Sequence, residues 1–102
     1  AAGDRGIASS EQHAGKEWQE QAVTAARLFL RWNDKHFNGL EFTIEQLRTW
    51  AYSHGLAMPA EERAWGAATR RLVREGLIQG TGLYLRALSS HLSPKPSYRR
   101  AH

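Results

Sequence analysis

The sequence contains no cysteine, only three prolines and no long apolar run. The lack of cysteine excludes a disulfide framework and thiolate metal ligands. No stretch approaches the roughly 20 consecutive apolar residues that a membrane-spanning helix needs. Residues 1–6 also lack the apolar run of a signal peptide. These absences predict a soluble, cytoplasmic protein without a membrane partner.

Patterns typical of enzymes are missing as well. The aspartates are Asp4 and Asp34 alone, and no close pair of carboxylates lies in an apolar context. No nucleophile elbow, phosphate loop or dinucleotide-binding glycine pattern occurs. The histidines lack the HxxxH spacing and the neighbouring carboxylates of a metal site. They are His13, His36, His54, His91 and His102. We therefore expect no enzyme activity, no metal and no cofactor.

Positive charge is concentrated in the second part of the chain. The whole sequence carries 14 basic and 10 acidic residues, a net charge of +4. Residues 1–62 hold six basic against nine acidic residues, whereas residues 63–102 hold eight basic residues against one acidic residue, Glu75. This asymmetry favours a polyanionic partner for the second part. A solvated basic surface would give the same composition.

The first periodic signal lies at residues 15–37. Apolar residues follow one another there at steps of three and four, which predicts a long helix with one apolar face. They are Trp18, Ala22, Ala25, Phe29 and Trp32. The pair Asn38-Gly39 is typical of a helix C-terminus. Residues 1–14 are small and polar and show no period, so we predict a flexible N-terminal arm there.

Two shorter helices are predicted next. Thr43 and Gln46 have the spacing of a capping box, and they open a helix that Gly55 ends. Pro59 suits the first position of a further helix, which runs to Glu75. Two helices joined by a short glycine-containing turn are the sequence form of a helix-turn-helix.

A β-hairpin is expected after the second of these helices. Residues 77–79 have extended character, Gly80-Thr81-Gly82 supplies turn residues, and residues 83–87 would form the return strand. From Ser89 onward the chain is polar and basic and contains two prolines. We predict a tail or an extended edge segment there.

These elements predict one domain, since 102 residues suit a single hydrophobic core. The predicted fold class is mainly α with a small antiparallel β-hairpin, a winged helix-turn-helix. The domain would cover residues 15–88, between the N-terminal arm at residues 1–14 and the basic tail at residues 89–102.

The helix predicted from Pro59 to Glu75 separates cationic from apolar residues. At about 100° per residue, Arg63, Arg70 and Arg74 fall within roughly 40° of one another. The same stripe holds Ala67, its flanks hold Gly66 and Arg71, and the opposite side holds Trp65, Ala68 and Leu72. Small residues would let the helix approach the floor of a DNA major groove while the arginines reach bases and phosphates. The alternative is an exposed helix face that arginine keeps soluble.

Four further basic residues are expected to contact phosphates beside the groove. They are Arg86 on the return strand, with Lys95, Arg99 and Arg100 in the tail. Such contacts increase the affinity for DNA and its salt dependence, but they add little sequence specificity. A plainly disordered tail is the alternative for the free protein, and such a tail can become ordered on DNA.

The segment from Phe42 to Ile78 carries a distinctive pattern. It reads FTIEQLRTW, then a glycine-containing turn and Pro59, then RAWGAATRRLVREGLI, with glycines after it. This segment, roughly half of the chain, resembles small winged-helix proteins encoded by phages and prophages of proteobacteria. The resemblance implies a phage-related winged helix that serves DNA replication, recombination or transcription control.

The sequence therefore predicts binding of double-stranded DNA through the helix at about residues 60–75 and the wing. The alternative is a protein-interaction adaptor in a phage replication complex, whose arginines would face a phage or host replication or transcription protein. A monomer and a homodimer that reads two half-sites both remain open. The predicted DNA-contacting residues are Arg63, Gly66, Ala67, Arg70, Arg71, Arg74, Arg86, Lys95, Arg99 and Arg100.

Overall fold

The computed structural model describes residues 2–86 and 94–101, with side chains over residues 15–85 and 94–101. The elements described are α1 (Ala2–Phe37), β1 (Phe42–Thr43), α2 (Ile44–Ser53), α3 (Ala64–Arg74), β2 (Ile78–Arg86) and β3 (Pro94–Arg100). The strands form one antiparallel sheet in the order β1-β3-β2. The expected combination of helices with a small antiparallel sheet is confirmed.

Several expectations lie outside the described residues. They concern the end of the return strand at Ala87, the domain boundary between residues 88 and 89, and the side chains of His13, Arg86, His91 and His102.

Helix α1 ends where the sequence predicts and begins earlier than it predicts. Asn38 and Gly39 both take positive φ, 53° and 71°, and end the helix. Its apolar face is buried at Trp18, Ala22 and Phe29. The helix includes residues 2–14, where the sequence shows no period and predicts a flexible arm. That segment has no proline and contains alanine, glutamate and glutamine, which favour helix.

Helix α2 begins at the predicted capping box. Thr43 Oγ1 accepts a hydrogen bond from the Gln46 N–H at 3.2 Å, and Gln46 Oε1 accepts one from the Thr43 N–H at 2.9 Å. Two of the free N–H groups at the helix start are thereby satisfied. Leu47 and Ala51 point into the core. Gly55, with φ 100°, follows the end of the helix.

Helix α3 is shorter than predicted. It begins at Ala64, and Pro59 lies in the irregular segment that connects α2 with α3. Backbone bonds from Ala64 N to Glu61 O and from Trp65 N to Glu62 O form tight turns before the helix. Trp18 Nε1 donates to Ala57 O at 2.7 Å and so ties this connecting segment to α1.

The predicted hairpin turn at Gly80-Thr81-Gly82 is wrong, because β2 passes through these residues and continues to Arg86. The pairing with β3 shifts register between Gly80 and Tyr84, which marks a bulge. Gly82 takes φ 81°, and the Leu83 N–H donates to Thr81 Oγ1 at 3.1 Å. The glycines therefore shape an irregular strand without reversing the chain.

Of the two alternatives predicted for the C-terminal segment, a tail or an extended edge segment, the structure shows extended backbone at residues 94–100, but as the central strand of the sheet and not at its edge. Tyr98 pairs with Phe42 on one side and with Gly80 on the other. β1 pairs only with Ser97 and Tyr98. The prolines of β3 therefore lie where the strand has one partner, a position that tolerates a missing N–H.

The core joins α1, α2, α3 and the sheet. Trp65 of α3 packs edge-on against Trp18 of α1, with ring centroids 5.1 Å apart. Its Nε1 donates to the Tyr52 hydroxyl of α2 at 2.8 Å. Phe29 of α1 packs edge-on against Phe42 of β1. These contacts fix the orientation of α3, and therefore decide which of its side chains face solvent.

Candidate nucleic-acid interface

Helix α3 has one buried face and one exposed face. Trp65, Ala68 and Leu72 are buried, as the sequence predicts. Arg70 and Arg74 are exposed on the opposite side. Within the part of the chain that the structure describes, neither of these arginines has a carboxylate at salt-bridge distance. Two guanidinium groups are thus presented together to solvent.

Small residues lie beside these arginines. Gly66 is exposed and Ala67 is partly exposed. A Cβ added at Gly66 would come 3.6 Å from Arg70 Nη1, an ordinary contact distance. The guanidinium of Arg70 therefore lies over the glycine one turn earlier. A ligand that displaces this long side chain could approach the helix backbone closely at the glycine, because Gly66 has no Cβ.

Arg63 is the residue that precedes α3, and it extends the cationic face at the start of the helix. Its side chain is 86% exposed, and Nε lies 2.5 Å from Glu61 Oε2. An ion pair at such an exposed position contributes little stability. A phosphate can therefore replace the carboxylate at small cost.

Arg71 points away from Arg70 and Arg74, towards α1. Its guanidinium lies 2.8 Å from Glu20 Oε1 and 2.5 Å from Glu75 Oε2, and Nη1 donates to Gln19 Oε1 at 3.1 Å. The hydrogen bond from Arg71 lowers the pKa of Glu75 below its ordinary value. The bonds to Glu75 and Glu20 raise the pKa of Arg71. The structure thus places Arg71 in a contact that docks α3 on α1.

The basic residues of β3 also differ in whether a carboxylate of α1 holds them or they are accessible. Arg100 forms an ion pair with Asp34 of α1. Arg99 is exposed, and in the favoured amide orientation Gln79 Oε1 accepts hydrogen bonds from its Nε and Nη2 at 3.0 and 3.2 Å. Lys95 lines a small groove between α2 and β3. Of the four predicted phosphate contacts, Lys95 and Arg99 thus remain accessible, whereas the side chain of Arg86 lies outside the description.

Sequence reasoning missed two exposed features near α3. Arg48 of α2 pairs with Glu62 at 3.1 Å and lines the same small groove as Lys95. No local pattern could connect Arg48 with a carboxylate 14 residues away. Val73 is an exposed apolar residue on α3. Its position beside the predicted arginine stripe is the sequence feature that could have indicated the exposure of Val73.

The described histidines pack against aromatic rings. His54 stacks on Trp50 at 3.9 Å, and His36 packs against Trp32 at 5.6 Å. Over the residues that the structure covers, no group of three potential ligands could hold a metal ion. None of the helices in the same ranges has the length and apolar character needed to cross a membrane.

Comparisons with protein-family models, with curated proteins and with solved structures found no match to this chain.

Proposed function

We propose that the chain is a winged helix-turn-helix protein that binds double-stranded DNA, with α3 in the major groove. One observation carries the proposal: Arg70 and Arg74 are exposed on the face of α3 opposite its buried side, and among the described residues no carboxylate lies at salt-bridge distance from either of them. The order of elements supports it, because α2 and α3 are followed by the antiparallel pair β2 and β3, which would form the wing.

The dimensions of α3 suit a major groove. Its 11 residues span about 16 Å, and the groove is about 12 Å wide. Arg70 and Arg74 are separated by about 6 Å along the helix axis, which corresponds to roughly two base-pair steps. We assign these two residues to base edges and nearby phosphates. Gly66 and Ala67 allow the close approach, and Val73 can contact a thymine methyl group.

The remaining cations fall into two groups. Arg63, Lys95 and Arg99 are accessible and would contact phosphates. Arg71 and Arg100 are not part of the proposed interface, because carboxylates of α1 hold both of them. We propose a phage-related role in regulation, replication or recombination, for a monomer or a homodimer.

A salt titration tests the proposal. The logarithm of the affinity for a random-sequence duplex should fall linearly with the logarithm of salt concentration. About five phosphate contacts would give a slope of about −4. A single strand of the same length is the control, and it should bind less tightly because it has no major groove. A complete lack of duplex binding at low salt would favour the adaptor alternative.

A further inference from the structure

An open apolar groove of about 820 Å³ lies between the end of α1 and α2. We call it the α1/α2 groove. No residue of α3 lines it, so DNA binding by α3 would leave it free. Its apolar walls are formed by Phe29, Trp32, Phe37, Leu40 and Trp50.

The apolar rim of the groove is exposed in a well-fixed part of the molecule. Phe37 is 50% exposed and Leu40 is 63% exposed. Asn33 is buried, and its Nδ2 donates to Leu40 O at 2.8 Å. Phe37 packs on Trp32 with ring centroids 5.2 Å apart. The rim is therefore preorganised, which lowers the entropic cost of binding.

Trp50, which lines the groove, carries a hydrogen-bond donor that has no partner among the described residues. Nε1 of Trp50 is inaccessible to solvent and has no hydrogen-bond partner among the described residues. A buried donor without an acceptor costs free energy. Because this atom is closed to solvent, a partner in the open groove would not contact it directly, and its N–H signal would report changes in the packing of the Trp50 ring that lines the groove.

The charges at the groove are opposite in sign to the net charge of the chain. Among the described residues, the charged ones that line it are Glu41 and Glu45, both acidic, whereas the chain carries a net charge of +4. Because Glu45 already has an interaction within the chain, the acidic contact is assigned to Glu41. Its carboxylate would repel DNA, and it favours a basic partner that also buries apolar side chains.

We infer that the α1/α2 groove binds a partner protein through a cationic amphipathic helix. Leucine or aromatic residues of that helix would pack between Trp32 and Leu40, and its lysines or arginines would face Glu41. A symmetric pair of two copies of this chain fits less well, because it would place the same acidic patch on both sides of the interface.

Two synthetic peptides of about 18 residues provide the probes. They share one face of leucine and phenylalanine at helical spacing, and they carry either lysine or glutamate on the polar face. Titrated into the full chain, the lysine peptide should shift the NMR signal of the Trp50 indole N–H. We expect it to bind at least about tenfold more tightly than the glutamate peptide.

Variants locate the site. Leu40→Asp should weaken the lysine peptide by at least about tenfold, because it places a charge in the apolar contact. Leu28→Asp is the matched control: Leu28 is 49% exposed on α1 but does not line the groove, so affinity should not change. Glu41→Lys should narrow the preference for the lysine peptide. Because Leu40 and Leu28 are both exposed, both aspartate variants should fold, which their unfolding curves check.

Three results would overturn the inference. They are an unmoved Trp50 indole signal with the lysine peptide, equal affinity for the two peptides, and a wild-type dimer that Leu40→Asp converts to monomer. The last result would make a second copy the occupant. None of them bears on DNA binding, which is measured separately by the duplex titration.

Discussion

Replacing Arg70 and Arg74 together with alanine should weaken binding to duplex DNA by roughly 30-fold or more. Both side chains are exposed on the side of α3 that is proposed to face the DNA major groove, and in the described part of the chain neither has a carboxylate at salt-bridge distance. Their removal should therefore leave the fold intact, with an unfolding temperature within about 2 °C of the wild type. Fluorescence anisotropy with a labelled duplex at low salt measures the affinity.

A matched double variant separates a specific interface from general charge. Lys16→Ala with Arg31→Ala removes the same two positive charges from exposed positions on α1. We expect it to reduce the affinity for duplex DNA by less than about threefold, because α1 would not enter the DNA major groove in the proposed complex. Equal losses for the two double variants would show that DNA responds to net charge alone. Unchanged affinity in the Arg70/Arg74 variant would remove α3 from the interface.

Removing residues 94–102 should abolish cooperative folding. The deletion takes away β3, which pairs with both β1 and β2. It also removes Ser97, whose Oγ donates to Leu83 O at 2.9 Å, and Tyr98, which packs on the core. The loss should approach the whole stability of a small domain, about 5–15 kcal/mol. Thermal unfolding followed by far-ultraviolet circular dichroism measures it.

A shorter deletion controls for this experiment. Removing residues 101 and 102 leaves β3 in place. Among the described residues it costs one backbone bond, from Ala101 N to Leu77 O, worth about 1 kcal/mol. This variant should melt cooperatively at a slightly lower temperature. If the longer deletion melted like the wild type, residues 94–100 would be a dispensable tail and the sheet described above would be incorrect.

Local chemistry made the start of α2, the end of α1 and the buried face of α3 predictable. The capping box at Thr43 and Gln46 satisfies backbone groups within one turn, so its consequence is contained in four residues. Asn38 and Gly39 take positive φ at the end of α1 for the same local reason. The buried side of α3 followed from its period. What adjacent residues decide can be inferred from the sequence.

Strand pairing depended on contacts between distant residues. Gly80-Thr81-Gly82 has turn composition, yet β2 continues through it because its partner is β3, far along the chain. Turn residues permit a reversal or a bulge, and the pairing partner decides between them. The same reason explains why the sequence predicts a tail or an extended edge segment where β3 lies, and not a central strand.

The sequence predicted which arginines of α3 are exposed, but it did not predict which carboxylates the other arginines contact. The helical period placed Arg70 and Arg74 on the face opposite the core, and the structure agrees. It could not show that Arg71 contacts Glu20, or that Arg100 contacts Asp34, 66 residues away. It also placed Trp32 on the apolar face of α1, although this ring is only partly buried at the α1/α2 groove. The helical period predicts the direction in which a side chain points, but it does not predict which other side chains cover it.

The most direct measurement follows the arginine side chains themselves. NMR spectra of ¹⁵N-labelled protein resolve the Nε–H groups, and a duplex can be added stepwise. We expect the signals of Arg70 and Arg74 to shift and to saturate with binding, while those of Arg71 and Arg100 stay in place because carboxylates hold them. Bound DNA that leaves Arg70 and Arg74 unmoved would contradict the proposal that α3 reads the major groove.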